Sequence, residues 1–391
     1  MRIGIDARFY GPIGKGLGRY TQEVVDNIIE INNEEKSSDF TYVVFLSKDN
    51  YDLLKNDKNN NVEKVMVNCH WYTLKEQILM PYYFYKANLD LLHIPHFNVP
   101  VLYFKKFVVT IHDLILTHFP TIKATTKSKL VYRFKNFAYK FIIRHALKNS
   151  SKIITVSKFT KDDIVKEFNI VPEKIIVTYE GVSFLNNDRD KDYLINESGN
   201  LKEIPNNFIF YVGSAYPHKN LERLLDVFDK YGDHLNGLKL ILVGRIDYFY
   251  QRLIDAAIEK GLYKKNDYDN SKVIFLGHVS DMNLKSLYQR AKAFIFPSLY
   301  EGFGLPPLEA ISNNCLVLCS DKASLPEVVG DGAIYFNPEN IIDIYNAILK
   351  IDDSELKKNV LEKGKEFIQK YSWKECSIKT RDVYLSVLNN R

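Results

Sequence analysis

Short runs of β-branched and aliphatic residues alternate with longer segments of helical periodicity, and the alternation occurs twice along the 391-residue chain. Parallel strands need a crossover connection, usually a helix, so this alternation predicts parallel sheets with helices on both faces. The first series of predicted strands is Arg2–Ile5, Tyr42–Leu46, Leu91–Ile94, Phe107–Ile111, Lys152–Val156 and the short run Ile175–Thr178. The second series is Phe208–Val212, Leu238–Val243, Val273–Leu276, Ala293–Phe296 and Leu316–Cys319.

A polar, weakly periodic stretch separates the two series. We therefore predict an N-terminal domain over 1–186, a linker over 187–206 and a C-terminal domain over 207–373. A chain of this length commonly divides into two domains. Both domains are expected to be Rossmann-like and doubly wound, and such sheets bind ligands at the carboxyl ends of their strands. The expected ligand site is the cleft between the two domains.

The four cysteines, Cys69, Cys315, Cys319 and Cys376, lack the spacing of a metal site, and their use fits a reducing cytoplasm. A predicted strand starts at residue 2 without a charged and apolar leader before it. The chain also contains no apolar run of the roughly 20 residues that a membrane span needs. We expect a cytoplasmic protein that could also lie on the inner face of the plasma membrane.

The segment 121–152 is strongly basic. It contains nine Lys or Arg residues and no Asp or Glu, whereas the whole chain has a formal net charge of only +5. Aromatic and aliphatic residues interleave with the basic ones at helical spacing. Three interpretations stay open: a solvated helix packed on its own domain, a helix on an anionic membrane, or a nucleic-acid contact.

The stretch Pro297–Ala310, PSLYEGFGLPPLEA, is the most informative for chemistry. It follows a predicted strand, its glycines permit tight turns, and its prolines suit the first turn of a helix. The amide groups at such a helix start can bind a diphosphate. Glu301 and Glu309, separated by seven residues, would accept hydrogen bonds from the hydroxyl groups of a sugar and a ribose.

Seven strings in order resemble the family 4 retaining glycosyltransferases of the GT-B fold, including mannosyl- and rhamnosyltransferases of bacterial surface polysaccharide synthesis. The resemblance extends over nearly the whole chain. The strings are GLGRY (16–20), IHDL (111–114), ITVS (154–157), YEGV (179–182), PHKN (217–220), EGFGLPPLEA (301–310) and SLPEVVGDGA (324–333).

The resemblance assigns roles on the donor side. Glu301 is similar to the acid that contacts the donor sugar, Glu309 to the acid that holds the ribose, and Lys219 to the lysine that contacts the phosphates. The family often has an arginine where this chain has Ser214, so His218 or Arg245 would have to supply the second cation. The backbone of Gly302, Phe303, Gly304 and Leu305 would contact the diphosphate and sugar.

The resemblance also assigns groups in the first domain. A glycine of the loop Gly14–Tyr20, which we expect to open a helix at Tyr20, would lie against the donor phosphate. Gly16 and Gly18 both fit, Gly16 better. A histidine would lie beside the sugar and the acceptor, and we rank His112 with Asp113 before His96. In the family, the last helix, here 374–391, crosses back onto the first domain.

The resemblance implies transfer of a hexose, with a mannose-type sugar as the expectation, from a nucleotide diphosphate sugar to a glycan or lipid-linked glycan. A UDP-sugar donor (glucose, galactose or GlcNAc) is one alternative. A non-catalytic protein that binds nucleotide sugars or nucleic acid is another. No metal or other cofactor is expected, because the DxD strings at 188–190 and 267–269 lie in polar connecting segments.

Overall fold

A computed structural model describes residues 1–35, 39–55, 61–120, 129–182, 193–195, 201–265 and 267–389. The described residues form two compact units. Unit 1 contains those up to Pro120, those from 129 to Gly181 and those from Tyr371 onward, and unit 2 contains those from Val182 to Lys370. The first DxD string, 188–190, lies outside the described residues.

Unit 1 is built on a parallel sheet. In the described part of the unit, the strand order is β3-β2-β1-β4-β5-β6-β7. The central strands are almost wholly buried, because a parallel sheet is covered on both faces, and their sequences are accordingly continuous apolar runs. The strands are β1 Arg2–Asp6, β2 Thr41–Leu46, β3 Val62–Met66, β4 Leu91–Ile94, β5 Phe107–Ile111, β6 Lys152–Thr155 and β7 Ile175–Val177.

The helices of unit 1 lie on opposite faces of this sheet. The chain moves toward one edge between β1 and β2 and toward the other edge from β3 to β7. Because such crossovers are right-handed, the first helix lies on one face, and the helices that follow β3, β5 and β6 lie on the other. The helices are α1 Lys15–Glu34, α2 Leu74–Lys86, α3 Ile115–His118, α4 Lys129–Asn149, α5 Lys158–Phe168 and α13 Trp373–Asn389.

Helix α13 reaches unit 1 after the chain has passed through unit 2, and it packs beside α1. The Tyr384 hydroxyl lies 2.6 Å from Nδ1 of His93 in β4. Nε2 of His93 lies 2.8 Å from the hydroxyl of Thr110 in β5. These three buried side chains join α13 to the centre of the sheet.

Unit 2 contains a second parallel sheet, with the order β12-β11-β10-β13-β14-β15 in its described part. Its strands are β10 Phe208–Val212, β11 Lys239–Val243, β12 Val273–Gly277, β13 Ala293–Phe296, β14 Val317–Ser320 and β15 Ile334–Phe336. Its helices are α6 Leu221–Tyr231, α7 Tyr248–Glu259, α8 Asp281–Arg290, α9 Leu305–Ser312, α10 Leu325–Val329, α11 Ile341–Leu349 and α12 Ser354–Ile368.

The structure differs from the sequence-based expectation at several elements. Strands β3 and β15 were not predicted. Helix α1 begins at Lys15 rather than at Tyr20, so that Gly16 and Gly18 lie in its first turns. A glycine lowers the stability of a helix by about 1 kcal/mol relative to alanine, and the packing of this helix of 20 residues offsets that cost. Within the expected linker, β8 Tyr193–Ile195 and β9 Leu201–Glu203 form an antiparallel pair. Among the described residues, no helix has the length and apolar character that crossing a membrane requires.

Candidate active site

The strand order of unit 2 reverses between β10 and β13, and this switch point carries the best-defined group of polar side chains. The loop after β10 contains Lys219, and the loop after β13 contains Glu301. Lys219 Nζ lies 2.5 Å from Glu301 Oε1, and both side chains are largely buried. Ligands of doubly wound sheets bind at such switch points. The structure therefore brings together the two residues predicted to bind the phosphates and the sugar.

Several hydrogen bonds hold these two loops in place. The amide of Leu299 donates to the carbonyl oxygen of His218 at 2.7 Å. The side-chain amide of Asn220 donates to the carbonyl oxygen of Pro297 at 3.1 Å. The hydroxyl of Ser324, at the start of α10, lies 3.0 Å from the carbonyl oxygens of both Glu301 and Phe303. Lys219 and Glu301 thus rest on a rigid backbone.

Helix α9 starts directly behind this pair. Its N-cap residue Gly304 has a φ of 104°, and a Cβ atom there would lie 2.7 Å from Leu325 Cδ2. Glycine meets both demands, since it tolerates positive φ and has no Cβ atom. Pro306 and Pro307 carry no amide hydrogen, so the amides of this helix start that lack an intrahelical partner are those of Gly304 and Leu305. The expected anion site at this helix start therefore has fewer donors than a helix without prolines.

Glu309 lies in the second turn of α9 and is half-buried. The hydroxyl of Tyr288, a buried residue of α8, lies 3.4 Å from Glu309 Oε2. The same hydroxyl lies 3.4 Å from the carbonyl oxygen of Pro306, so Tyr288 links α8 to the first two turns of α9.

Ser214 and Arg245 follow two neighbouring strand ends. The amide of Gly213 donates to the carbonyl oxygen of Val243 at 3.0 Å, so that the residues after β10 and β11 lie side by side. Arg245 is exposed, whereas His218 is only 8% exposed. Burial, together with the charge of Lys219, lowers the pKa of His218 to about 4. His218 is thus neutral at physiological pH, which leaves Arg245 as the better candidate for the second cation.

His112 is the first residue after β5 in unit 1, and its ring is held from three sides. Nε2 donates to the carbonyl oxygen of Pro95 at 3.0 Å, and Nδ1 lies 3.4 Å from Glu180 Oε1. The ring of Tyr20 packs edge-on at 4.6 Å between centroids. These contacts fix the ring at the carboxyl edge of the sheet.

His96 and Asp113 have different surroundings. Nε2 of His96 lies 3.0 Å from the hydroxyl of Tyr72, and Nδ1 accepts a long hydrogen bond from the amide of Asn98. Burial, with the charges of His112 and Arg8, lowers the pKa of His96 to about 3. Asp113 Oδ1 accepts a hydrogen bond from the amide of Ile115 at 2.9 Å, which stabilises the start of α3.

The two glycines of α1 also differ from each other. A Cβ atom on Gly18 would lie 2.1 Å from the carbonyl oxygen of Gly11, so local packing alone explains this glycine. Gly16 is exposed, and a Cβ atom there would meet no atom within 4 Å. Open space beside the backbone fits the ligand contact that we predicted for Gly16.

Two features of unit 1 were missed by the sequence analysis. Glu180, beside His112, is the variable residue of the string YEGV, and its burial beside a histidine is a tertiary feature. The second is a buried ion-pair cluster in which Arg8 binds Asp6 and Glu76, each at 2.6 Å. Asn98 also donates to Glu76, so this cluster ties the loops that surround His96.

The described residues contain one group of side chains with metal-ligand chemistry. Its possible ligand atoms, from His118, Asp163 and Glu167, lie within 4.8 Å of one another. His118 and Glu167 are exposed, and the group belongs to α3 and α5 of unit 1. In the second DxD string, Asp267 accepts hydrogen bonds from Asn270.

Comparison with protein families identifies the class of this protein. The family described as Glycosyltransferase Family 4 matches residues 67–184, and Glycosyl transferases group 1 matches residues 196–367. The chain is a family 4 glycosyltransferase. The matched ranges contain His112 in the first case, and Lys219, Glu301 and Glu309 in the second.

Two curated relatives are similar to this transferase over most of its length. The O-antigen chain mannosyltransferase RfbU of Salmonella typhimurium is 29% identical over 285 residues, 72% of this chain and 70% of RfbU. The O-antigen chain mannosyltransferase B of Escherichia coli is 27% identical over 308 residues, 75% of this chain and 73% of the relative.

Among solved structures, HepE of Anabaena in complex with UDP-glucose superimposes with a TM-score of 0.68 at 15% identity. The match covers 98% of the transferase and 99% of HepE. The transferase has the GT-B fold, as the family resemblance predicted, with two Rossmann-like units built on parallel sheets.

Proposed function

We propose that this transferase moves mannose from a GDP-linked donor to a glycan of a bacterial surface polysaccharide, with retention of the anomeric configuration. The observation that carries the proposal is the buried Lys219–Glu301 pair at the switch point of unit 2. The sugar assignment draws on RfbU and mannosyltransferase B, both mannosyltransferases of O-antigen chains.

In this proposal, unit 2 binds the donor. The diphosphate gains negative charge as the glycosidic bond breaks, and a fixed cation nearby stabilises the transition state more than the ground state. Lys219 is that cation, and Arg245, on the neighbouring strand end, is the second. Glu301 then accepts hydrogen bonds from the sugar and Glu309 from the ribose. The backbone of Gly302–Leu305 contacts the diphosphate, and no divalent metal takes part.

Unit 1 contributes the acceptor side. His112 is the better candidate for contact with the sugar, because Pro95 and Glu180 fix its orientation. Gly16 offers an open backbone for the donor phosphate. His96, whose ring nitrogens contact Tyr72 and Asn98, is the second candidate.

We further propose that the acceptor is lipid-linked and that helix α4 rests on an anionic membrane. Phe134, Phe137 and Phe141, spaced on one side of the helix, are all more than half exposed. Exposed basic residues surround them, and an anionic surface attracts each of these by about 1 kcal/mol. The exposed basic residues of α4 are Arg133, Lys135, Lys140, Arg144 and Lys148.

A thermal-shift screen in EDTA tests the donor assignment. A ligand that binds only the folded state raises the melting temperature. We expect GDP and GDP-mannose to stabilise the wild type, and Glu309→Gln to lose much of that shift. Glu259→Gln removes an exposed carboxylate at the end of α7 and should keep it.

The alternatives give different patterns in the same screen. Stabilisation by UDP and UDP-glucose instead of GDP would show that the donor is a UDP-sugar. HepE, which is similar in fold, was solved in complex with UDP-glucose. A shift that needs a divalent metal would contradict the metal-free mechanism. With the donor known, NMR of the new glycosidic linkage distinguishes retention from inversion.

A further inference from the structure

A second exposed apolar surface lies in unit 1, on helix α2 and the loop 97–106. Leu74, Ile78 and Tyr82 repeat every four residues along α2 and are 78%, 66% and 59% exposed. Phe104, in the loop, is 78% exposed, and Leu102 is about half exposed. Solvent-exposed helix faces are normally polar, so this concentration of large apolar side chains requires an explanation.

The charge of this surface has one sign. Lys75 and Lys86 on α2, and Lys105 in the loop, are exposed. The only acid within 74–86 and 97–106 is Glu76, which is fully buried in its ion pair with Arg8. Lysines around apolar side chains, without exposed acids, match an anionic lipid surface, where the ammonium groups meet headgroups and the apolar groups enter the interface.

This surface continues toward α4. Helices α2 and α4 lie on the same face of the sheet, since both belong to crossovers that move in the same direction. The loop 97–106 contacts both helices. The ring of Phe97 packs against Tyr139 of α4 at 5.1 Å, and the amide of Phe104 donates to the hydroxyl of Tyr85 in α2 at 2.9 Å.

We propose that α2 and the loop 97–106 form a second membrane-contact surface, which extends the proposed contact of α4 and inserts apolar side chains into the interface of an anionic bilayer. This inference rests on the proposed membrane docking of α4. The two surfaces have different main tasks. Helix α4, with five exposed basic residues, attracts the membrane mainly by charge, whereas α2 and the loop 97–106 hold the protein on the membrane mainly by apolar insertion.

Cosedimentation with vesicles separates these tasks. We expect Ile78→Ser/Phe104→Ser to weaken binding to phosphatidylcholine vesicles with 30% phosphatidylglycerol about tenfold at both low and high salt. Arg133→Gln/Lys140→Gln on α4 should weaken it mainly at low salt, because only the electrostatic part is screened. Ile258→Ser/Met282→Ser, which removes two exposed apolar residues of unit 2, should bind like the wild type.

A labelled cysteine reports insertion directly. The four native cysteines are buried, so an NBD group can be attached selectively at Phe104→Cys, with Ile258→Cys as the control site. We expect NBD emission to shift to the blue on vesicle binding, and bromine-labelled lipids to quench it, at position 104 but not at 258.

Three outcomes would overturn the proposal. In one, NBD at position 104 stays in water while the protein is bound to vesicles. In another, Ile78→Ser/Phe104→Ser binds vesicles normally. In the third, the wild type is a dimer that this double variant converts to a monomer, so that a second copy covers the surface. Loss of the GDP-dependent thermal shift would instead contradict the donor assignment, which none of these variants should alter.

Discussion

At the scale of single residues, the proposed donor site contains two opposite charges that neutralise each other. Lys219 and Glu301 are largely buried, and each alone would be an uncompensated charge away from water. A donor that brings a diphosphate to Lys219 and hydroxyl groups to Glu301 supplies new partners to both. The ion pair thus keeps the site folded before the donor binds.

Lys219→Met should lower kcat by about 100- to 1000-fold, since it removes the cation that we propose to stabilise the leaving diphosphate. It should also reduce the free energy of unfolding by about 2 kcal/mol, because Glu301 loses its partner and the site retains some solvent access. Steady-state kinetics and denaturant unfolding measure the two effects. Lys365→Met, at an exposed site on α12, is the control, and an unchanged kcat in Lys219→Met would contradict the assignment.

A second residue-scale prediction concerns pH. Burial lowers the pKa of His93 to about 3, against about 6.5 in the unfolded chain. Between these values the unfolded chain binds a proton that the folded chain does not, so stability falls as the pH drops below 6.5. His93 alone contributes a loss of about 1.4 kcal/mol per pH unit. His93→Gln should flatten the pH dependence of chemical unfolding between pH 6 and 4, and an unaltered slope would show that His93 is not buried neutral.

The sequence could not rank the histidines by environment. His93, His96 and His112 all lie in a strand or shortly after one, so the local sequence does not distinguish their surroundings. Their environments depend on distant residues: Tyr384, 291 positions away, contacts His93, and Glu180 faces His112. The proposed donor-side residues were easier to select from the sequence, because Glu301, Glu309 and Lys219 belong to contiguous strings.

At the scale of secondary-structure elements, the buried strands were predicted well because they are short apolar runs. β4, β5, β10 and β13 have the predicted bounds. β3, with sequence VEKVM, was missed because it lies at the sheet edge, where none of its positions is buried and its sequence is not an apolar run. The early start of α1 was missed because glycines usually indicate a loop.

The turn into α9 gives a prediction at this scale. Gly304→Ala places a Cβ atom at positive φ and against Leu325, so we expect loss of about 1–3 kcal/mol of stability and of the nucleotide-dependent thermal shift. Gly237 also has positive φ, but a Cβ atom there meets nothing within 4 Å. Gly237→Ala should therefore show the backbone effect alone and keep nucleotide binding. Equal nucleotide-dependent shifts of the melting temperature in the two variants would show that the start of α9 does not bind the donor.

At the scale of the whole molecule, the chain leaves unit 1 after Gly181 and returns to it at Tyr371. Tyr384→Ala, at a fully buried position of α13, should destabilise unit 1 by about 3–5 kcal/mol. In calorimetry, the unfolding transition whose melting temperature rises with nucleotide should keep its melting temperature. The other transition should shift to a lower temperature. Tyr82→Ala, at an exposed site of the same unit, should leave both transitions in place. A parallel fall of both transitions would mean that the units unfold together.

The return of α13 also has a consequence for synthesis on the ribosome. All residues of unit 2 are translated before the segment that completes unit 1. Synthesis of unit 1 therefore starts before that of unit 2 but ends after it. At typical translation rates, about 190 intervening residues take roughly 10–40 s. During that interval, the strands of unit 1 lack the helix that covers His93 and α1, and a nascent chain at this stage is a natural client for chaperones.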